Sequence, residues 1–159
     1  MKIVIMRHGE ASMGAPSDAE RPLTAYGCQQ AELAGECLAA QGFQPDLIWL
    51  SPYLRTRQTA EGVTRSLKPS PQQVQNFITP DNHPEDVLEQ LQKLDIENLL
   101  LVSHQPLVSS LVSTLVEGNL FSGPSMAPAS MVLIQADELL AGCCELVWQR
   151  HSPNFEVTY

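Results

Sequence analysis

MKIVIMRHGE, Met1 to Glu10, opens with the apolar run Ile3-Val4-Ile5-Met6 and then breaks off into Arg7, His8 and Gly9. An apolar run without alternation marks a strand covered on both faces in a parallel sheet. Open α/β sheets bind ligands beyond the carboxyl ends of such strands. A cation, an imidazole and a flexible residue at that end are reactive groups placed in the expected crevice. Gly9 allows a sharp turn or a close approach of backbone to a bound group. His8 reads as a nucleophile and Arg7 as an anion clamp.

Two further runs repeat the pattern. Leu47-Ile48-Trp49-Leu50 ends at Ser51-Pro52, and Leu99-Leu100-Leu101-Val102 ends at Ser103-His104. Each then passes into a helical segment. If the strands are parallel, all three endings lie on one sheet edge, so two histidines far apart in sequence meet beside a helix start.

Between these runs the chain alternates strand and helix. Thr24 is an expected N-cap for a helix to about Gln41, with Ala31, Leu33, Ala34, Cys37 and Leu38 as its apolar stripe and Gly42 closing it. Ser51-Pro52 is an expected cap and first helical residue for a helix to about Leu67. Val74 to Ile78 is read as a short strand, Pro84 to Leu94 and Pro106 to Glu117 as helices. Met131 to Gln135 and Glu145 to Arg150 read as closing strands. Strands alternating with helices predict an α/β fold, a largely parallel sheet covered on both sides. The 159 residues suffice for a single domain, 1–159, and hardly for two.

The formal charge of −9 argues against non-specific nucleic-acid binding and against an anionic membrane surface. Nothing approaches membrane-spanning length. No secretory leader is expected, because Arg7 interrupts the first apolar run too early. Cys28, Cys37, Cys143 and Cys144 lack Cys-x-x-Cys spacing and read as packing residues in a reducing compartment, which fits the cytoplasm. Cys143 and Cys144 are expected on opposite faces of a strand. His83 and His151 sit in polar surroundings and are expected at the surface.

An acidic protein that handles an anion must concentrate its cations. Of nine Lys and Arg residues, Arg7, Arg21, Arg55 and Arg57 lie in or beside these motifs. Arg55 is expected in the first turn of its helix, where the macrodipole disfavours a cation unless a bound anion reverses the balance. A solvated arginine is the bland alternative, as a capped turn is for His104. Metal binding by the two histidines is disfavoured, since Arg7 and Arg55 would repel a cation and no carboxylate cluster completes a ligand set. A neutral imidazole is a competent nucleophile toward phosphorus, and guanidinium groups suit the equatorial oxygens of in-line transfer. His104 would donate a further hydrogen bond.

Arg7-His8-Gly9, Ser51-Pro52 with Arg55 and Gln58-Thr59, and Ser103-His104, in this order, resemble the histidine phosphatase (phosphoglycerate mutase-like) superfamily. Arg21-Pro22-Leu23-Thr24 with Gly27 is similar to that family's Arg-Pro-Leu-Thr-x-x-Gly segment. The resemblance covers nearly the whole chain, and length and spacing are most similar to the SixA-type phosphohistidine phosphatases. It implies a three-layer αβα sandwich whose mostly parallel sheet has one antiparallel strand near the C-terminal end. It implies His8 as the phosphorylated nucleophile, with Arg7, Arg55 and His104 completing a phosphate pocket to which Gly9 and Arg21 also contribute. The implied substrate is a phosphohistidine on a histidine phosphotransfer domain or a phosphocarrier protein, handled by a monomer without cofactor or metal.

The chain departs from the larger relatives in one place. They carry a glutamate general acid within an inserted helical cap, whereas here Phe77 to His83 reads FITPDNH, with no Glu and little room for a cap. Asp81 is the candidate proton donor, although a turn aspartate is as readily structural. A phosphohistidine relaxes the need for an acid, because its leaving imidazole can already be protonated. The alternatives are a small-molecule phosphomonoester phosphatase and a silent phosphate-binding docking module.

Overall fold

The computed structural model describes residues 1–158. Its strands are β1 (Lys2–Arg7), β2 (Leu47–Leu50), β3 (Gln72–Val74), β4 (Asn98–Ser103), β5 (Met131–Gln135), β6 (Glu145–Arg150) and β7 (Val157–Thr158). Its helices are α1 (Ala25–Ala40), α2 (Leu54–Thr64), α3 (Pro84–Leu91) and α4 (Leu107–Glu117), with 3-10 turns at Asp18–Glu20 and Asn76–Ile78. All seven strands form one sheet in the order β3-β2-β4-β1-β5-β6-β7. The β3-β2, β2-β4 and β4-β1 pairings are parallel, whereas β1-β5, β5-β6 and β6-β7 are antiparallel. The expected antiparallel strand is β5, and the antiparallel pairing continues beyond it.

The unbroken apolar runs have a plain cause. Ile3, Ile5, Leu47, Trp49, Leu99 and Leu101 point into the core shared with α3 and α4. Val4, Met6, Ile48, Leu50, Leu100 and Val102 point the other way, into the core shared with α1 and α2. Alternate residues therefore face opposite helical layers, and every position must be apolar. The result is a three-layer αβα sandwich.

Several local expectations shift. Thr24 caps α1 by accepting the Gly27 N–H, and Gly42 follows with φ +68°. In the stripe, Ala31, Ala34 and Leu38 are buried and Cys37 partly so, but Leu33 is exposed while Gln30 is buried. Gln30 belongs inside because its Oε1 accepts the Glu10 N–H. Helix α2 starts at Leu54 rather than at Pro52, and Tyr53 is its N-cap. Ser51 turns its hydroxyl toward His104 instead of capping the helix. The helix stops at Thr64, short of Leu67. The strand expected over 74–78 is displaced: β3 ends at Val74, and Asn76–Ile78 is a 3-10 turn.

Cys143 and Cys144 precede β6 in a turn, the first exposed and the second buried, and all four cysteines are free. His83 is exposed, whereas His151 is half-buried with Nδ1 2.7 Å from Ser130 Oγ. Between β3 and α3 the chain spends only residues 75–83, so no helical cap is inserted there. Among the described residues, no helix is long and apolar enough to cross a membrane.

Candidate active site

Strand register brings the motifs together. Arg7 pairs with Ser103 and Leu50 with Val102, so β1, β4 and β2 end side by side. Beyond the last rungs, the His8 N–H donates to Ser103 O at 3.1 Å and the Ser51 N–H to Val102 O at 3.3 Å. His8 and His104 leave neighbouring strand ends, and their ring centroids are 5.2 Å apart at 61°. Helix α2 begins at the same edge and delivers Arg55 as its second residue. Arg55 is only 4% exposed, so the solvated-arginine reading does not hold. Tyr53 walls the cup, its ring 4.8 Å from that of His104 and 4.9 Å from the Arg55 guanidinium carbon.

In each imidazole one nitrogen is anchored by a group outside the cup, Gly9 O for His8 and Ser51 Oγ for His104. His8 Nδ1 lies 2.7 Å from Gly9 O, an acceptor only, so Nδ1 carries the proton. The lone pair then sits on Nε2, which accepts from Arg55 Nε at 3.2 Å. Burial above all pulls the His8 pKa down from 6.5 to about 4, with Arg55, Arg7 and Arg21 acting in the same direction and the Gly9 carbonyl opposing. Burial, then His8 and Arg55, pulls His104 down to about 3, with Asp18 opposing. Both rings are neutral near pH 7.

Arg7 is steered from two sides. Its N–H donates to Ser130 O at 3.0 Å, and its Nη1 to Met126 O at 3.0 Å. Arg7 Nε and His104 Nδ1 are buried side-chain nitrogens with no partner, and the only other such atom among the described residues is Arg150 Nε. Buried polar atoms rarely go unpaired. Two unpaired nitrogens in one cationic cup, one of them a guanidinium donor, specify a ligand rich in oxygen acceptors. Among the described residues, no three His, Cys, Asp or Glu side chains gather to hold a metal.

The other candidates sit further out. The Gly9 N–H is taken by Thr59 Oγ1 at 3.1 Å, and the Thr59 hydroxyl donates to Arg55 O at 2.7 Å. Gly9 thus positions the cup by its backbone, and Thr59 ties the loop to α2. A Cβ on Gly9 would fall 2.6 Å from Gly27 O, and one on Gly27 would fall 2.1 Å from Glu10 O. The Arg-Pro-Leu-Thr-x-x-Gly segment therefore packs α1 backbone to backbone against the loop carrying His8. Arg21 braces its own loop through Nε to Ser12 O at 2.8 Å and Nη1 to Asp18 Oδ1 at 3.0 Å. Asp81 is exposed, and its carboxylate makes no hydrogen bond or ion pair with the cup residues.

Asp18 escaped the sequence reading. Arg55 donates from Nη1 to Asp18 O at 2.6 Å and from Nη2 to Asp18 Oδ2 at 3.2 Å. Arg21, then Arg55, hold its carboxyl below the usual range. The loop 11–22 has no periodicity to announce it. Ser51 and Thr59 were visible as motif members, but their bonding was not.

A model of the histidine phosphatase superfamily, branch 1, matches residues 3–78. The phosphohistidine phosphatase SixA of Escherichia coli K12 is 34% identical over 161 aligned residues, 99% of this chain and 98% of that protein. A SixA homolog of Haemophilus influenzae is 36% identical over 72% of this chain and 77% of its own length. A solved structure of the protein histidine phosphatase SixA complexed with tungstate superposes with TM-score 0.87 at 35% identity, covering 94% of this chain and 96% of that one.

Proposed function

The chain belongs to the histidine phosphatase superfamily, and from that premise we propose that it is a protein phosphohistidine phosphatase acting through a phosphorylated His8. One observation carries the mechanism. The His8 Nε2 lone pair faces a buried cup in which Arg7 Nε and His104 Nδ1 have no partner. A phosphoryl group satisfies both halves of that arrangement, offering an electrophilic phosphorus to the lone pair and oxygens to the donors.

Arg7, Arg55 and His104 bind the phosphoryl oxygens, and Arg55 releases Nε2 as it turns to its new acceptor. Nε2 attacks phosphorus in line. The Nε2–P bond forms, the substrate P–N bond breaks, and the electron pair leaves with the substrate imidazole. The other nitrogen of that ring can already carry a proton, so the imidazole leaves as a neutral molecule and Asp81 is not required as an acid. The Gly9 carbonyl accepts the hydrogen bond of Nδ1–H throughout and stabilises the cationic phosphoimidazole. Water then attacks phosphorus, releasing inorganic phosphate and returning the pair to Nε2. Gly9 and Arg21 support this cup through the loop.

The substrate class rests on the likeness to SixA and on the uncapped rim, which admits a side chain presented by another protein. The partner is a phosphorylated histidine phosphotransfer domain or phosphocarrier protein, met in the cytoplasm by a monomer acting as one domain. Brief exposure to a ³²P-labelled phosphocarrier protein should leave an acid-labile, alkali-stable adduct on the wild type and none on His8→Ala. No adduct under any condition would favour the docking module. A preference for small esters over the phosphoprotein in steady state would defeat the substrate assignment.

A further inference from the structure

His104 has one nitrogen, Nε2, at 2.7 Å from Ser51 Oγ, while Nδ1 is buried in the cup without a partner. Which nitrogen holds the proton decides what the ring offers a ligand. With Nε2–H, Nδ1 would present a lone pair to an anion, which is repulsive. With Nδ1–H, the ring is a neutral donor.

Ser51 settles the choice. Its side chain is fully buried, and its Oγ already accepts the Tyr53 N–H at 3.4 Å. Among the described residues, the one acceptor bonded to that oxygen, and so able to take its proton, is His104 Nε2. A buried hydroxyl proton left unpaired costs about 1–3 kcal/mol, so the hydroxyl donates to Nε2. Nε2 must then be bare, and the proton of the neutral ring sits on Nδ1.

We infer that Ser51 is a positioning residue: its hydroxyl holds His104 in the Nδ1–H form, so that the ring meets a bound phosphoryl oxygen as an uncharged donor. The kinetic consequence rests on the phosphatase reading, but the tautomer does not. Ser51 is also set by the fold, since β2 pairs with β4 and ends where His104 begins. Its place directly after the second apolar run therefore serves the imidazole that follows the third.

The test reads the proton directly. ¹⁵N-histidine NMR of the wild type without ligand should show the His104 Nδ1 protonated and Nε2 bare. Ser51→Ala should move the proton to Nε2, the site preferred by free neutral imidazole. Ser51→Thr, which keeps a hydroxyl, should retain the Nδ1–H form. On the phosphoprotein substrate, kcat/KM of Ser51→Ala should fall by about 10- to 100-fold, the usual cost of losing a group that orients another. Protonated Nε2 in the wild type would overturn the inference. So would a kinetic loss in Ser51→Ala with an unchanged tautomer, since that is merely structural. If the wild type showed Nδ1–H but formed no phosphoenzyme, the phosphatase reading would fail while the tautomer assignment stood.

Discussion

The ends of β1 and β4 look alike in sequence, each an apolar run closed by a polar residue and a histidine, yet they are wired differently. His8 is held by the carbonyl of the next residue, Gly9, through Nδ1. His104 is held through Nε2 by a side chain just beyond another strand, Ser51. Opposite nitrogens are anchored, so opposite nitrogens face the cup. One ring offers a lone pair and the other a proton. On the proposed mechanism, two imidazoles 5.2 Å apart divide attack and anion binding without either carrying charge in the resting state.

The strongest way to break this contrast is to remove each ring in turn. His8→Ala should lower kcat/KM by about 10⁴-fold or more and abolish the adduct, since the bond-forming atom is gone. His104→Ala should cost about 10²- to 10³-fold, the scale of one lost transition-state donor, and should still form the adduct slowly. Equal losses would erase the proposed division.

Acid should sharpen it next. Both rings are neutral when folded and protonate near their ordinary value when unfolded. Below pH 6.5 the unfolded chain thus binds protons that the native state refuses until about pH 4 for His8 and about pH 3 for His104. Stability falls as pH falls through that window, by up to about 1.4 kcal/mol per histidine per pH unit. Denaturant midpoints between pH 7 and pH 4 should drop steeply in the wild type and less steeply in His104→Ala. A parallel slope would show that His104 is not held neutral.

The smallest effect belongs to Asp18, the internal anion on Arg55. Its side chain is 57% exposed and the ion pair is worth about 1 kcal/mol at most. Asp18→Asn should tighten inhibition by tungstate or vanadate by up to about fivefold at low salt, fading as salt rises. Weaker inhibition would mean that Asp18 steadies Arg55 rather than competing for it.

The strand ends were legible because burial on both faces leaves no room for polar residues until the strand stops. Arg7, His8 and His104 could be placed together from that, given parallel pairing, whereas Arg55 needed its expected place in the helix after the second run and the family resemblance. What stayed hidden depends on partners that sequence spacing does not encode. Ser51 reads as a helix cap until a histidine from β4 claims its hydroxyl, and the helix accordingly starts later. Asp18 lies in an aperiodic loop, and only folding brings it against Arg55. The segment 74–78 misled for another reason: β3 is a three-residue edge strand paired only with β2, exposed along its length, so no buried face imposes a pattern.

The contact between Gly9 and Gly27 carries a cost in tolerance. A single methyl group at either position would act as a wedge between loop and helix, shifting His8 within the cup without itself lying there. The aim of His8 is set by two side chains the protein does without.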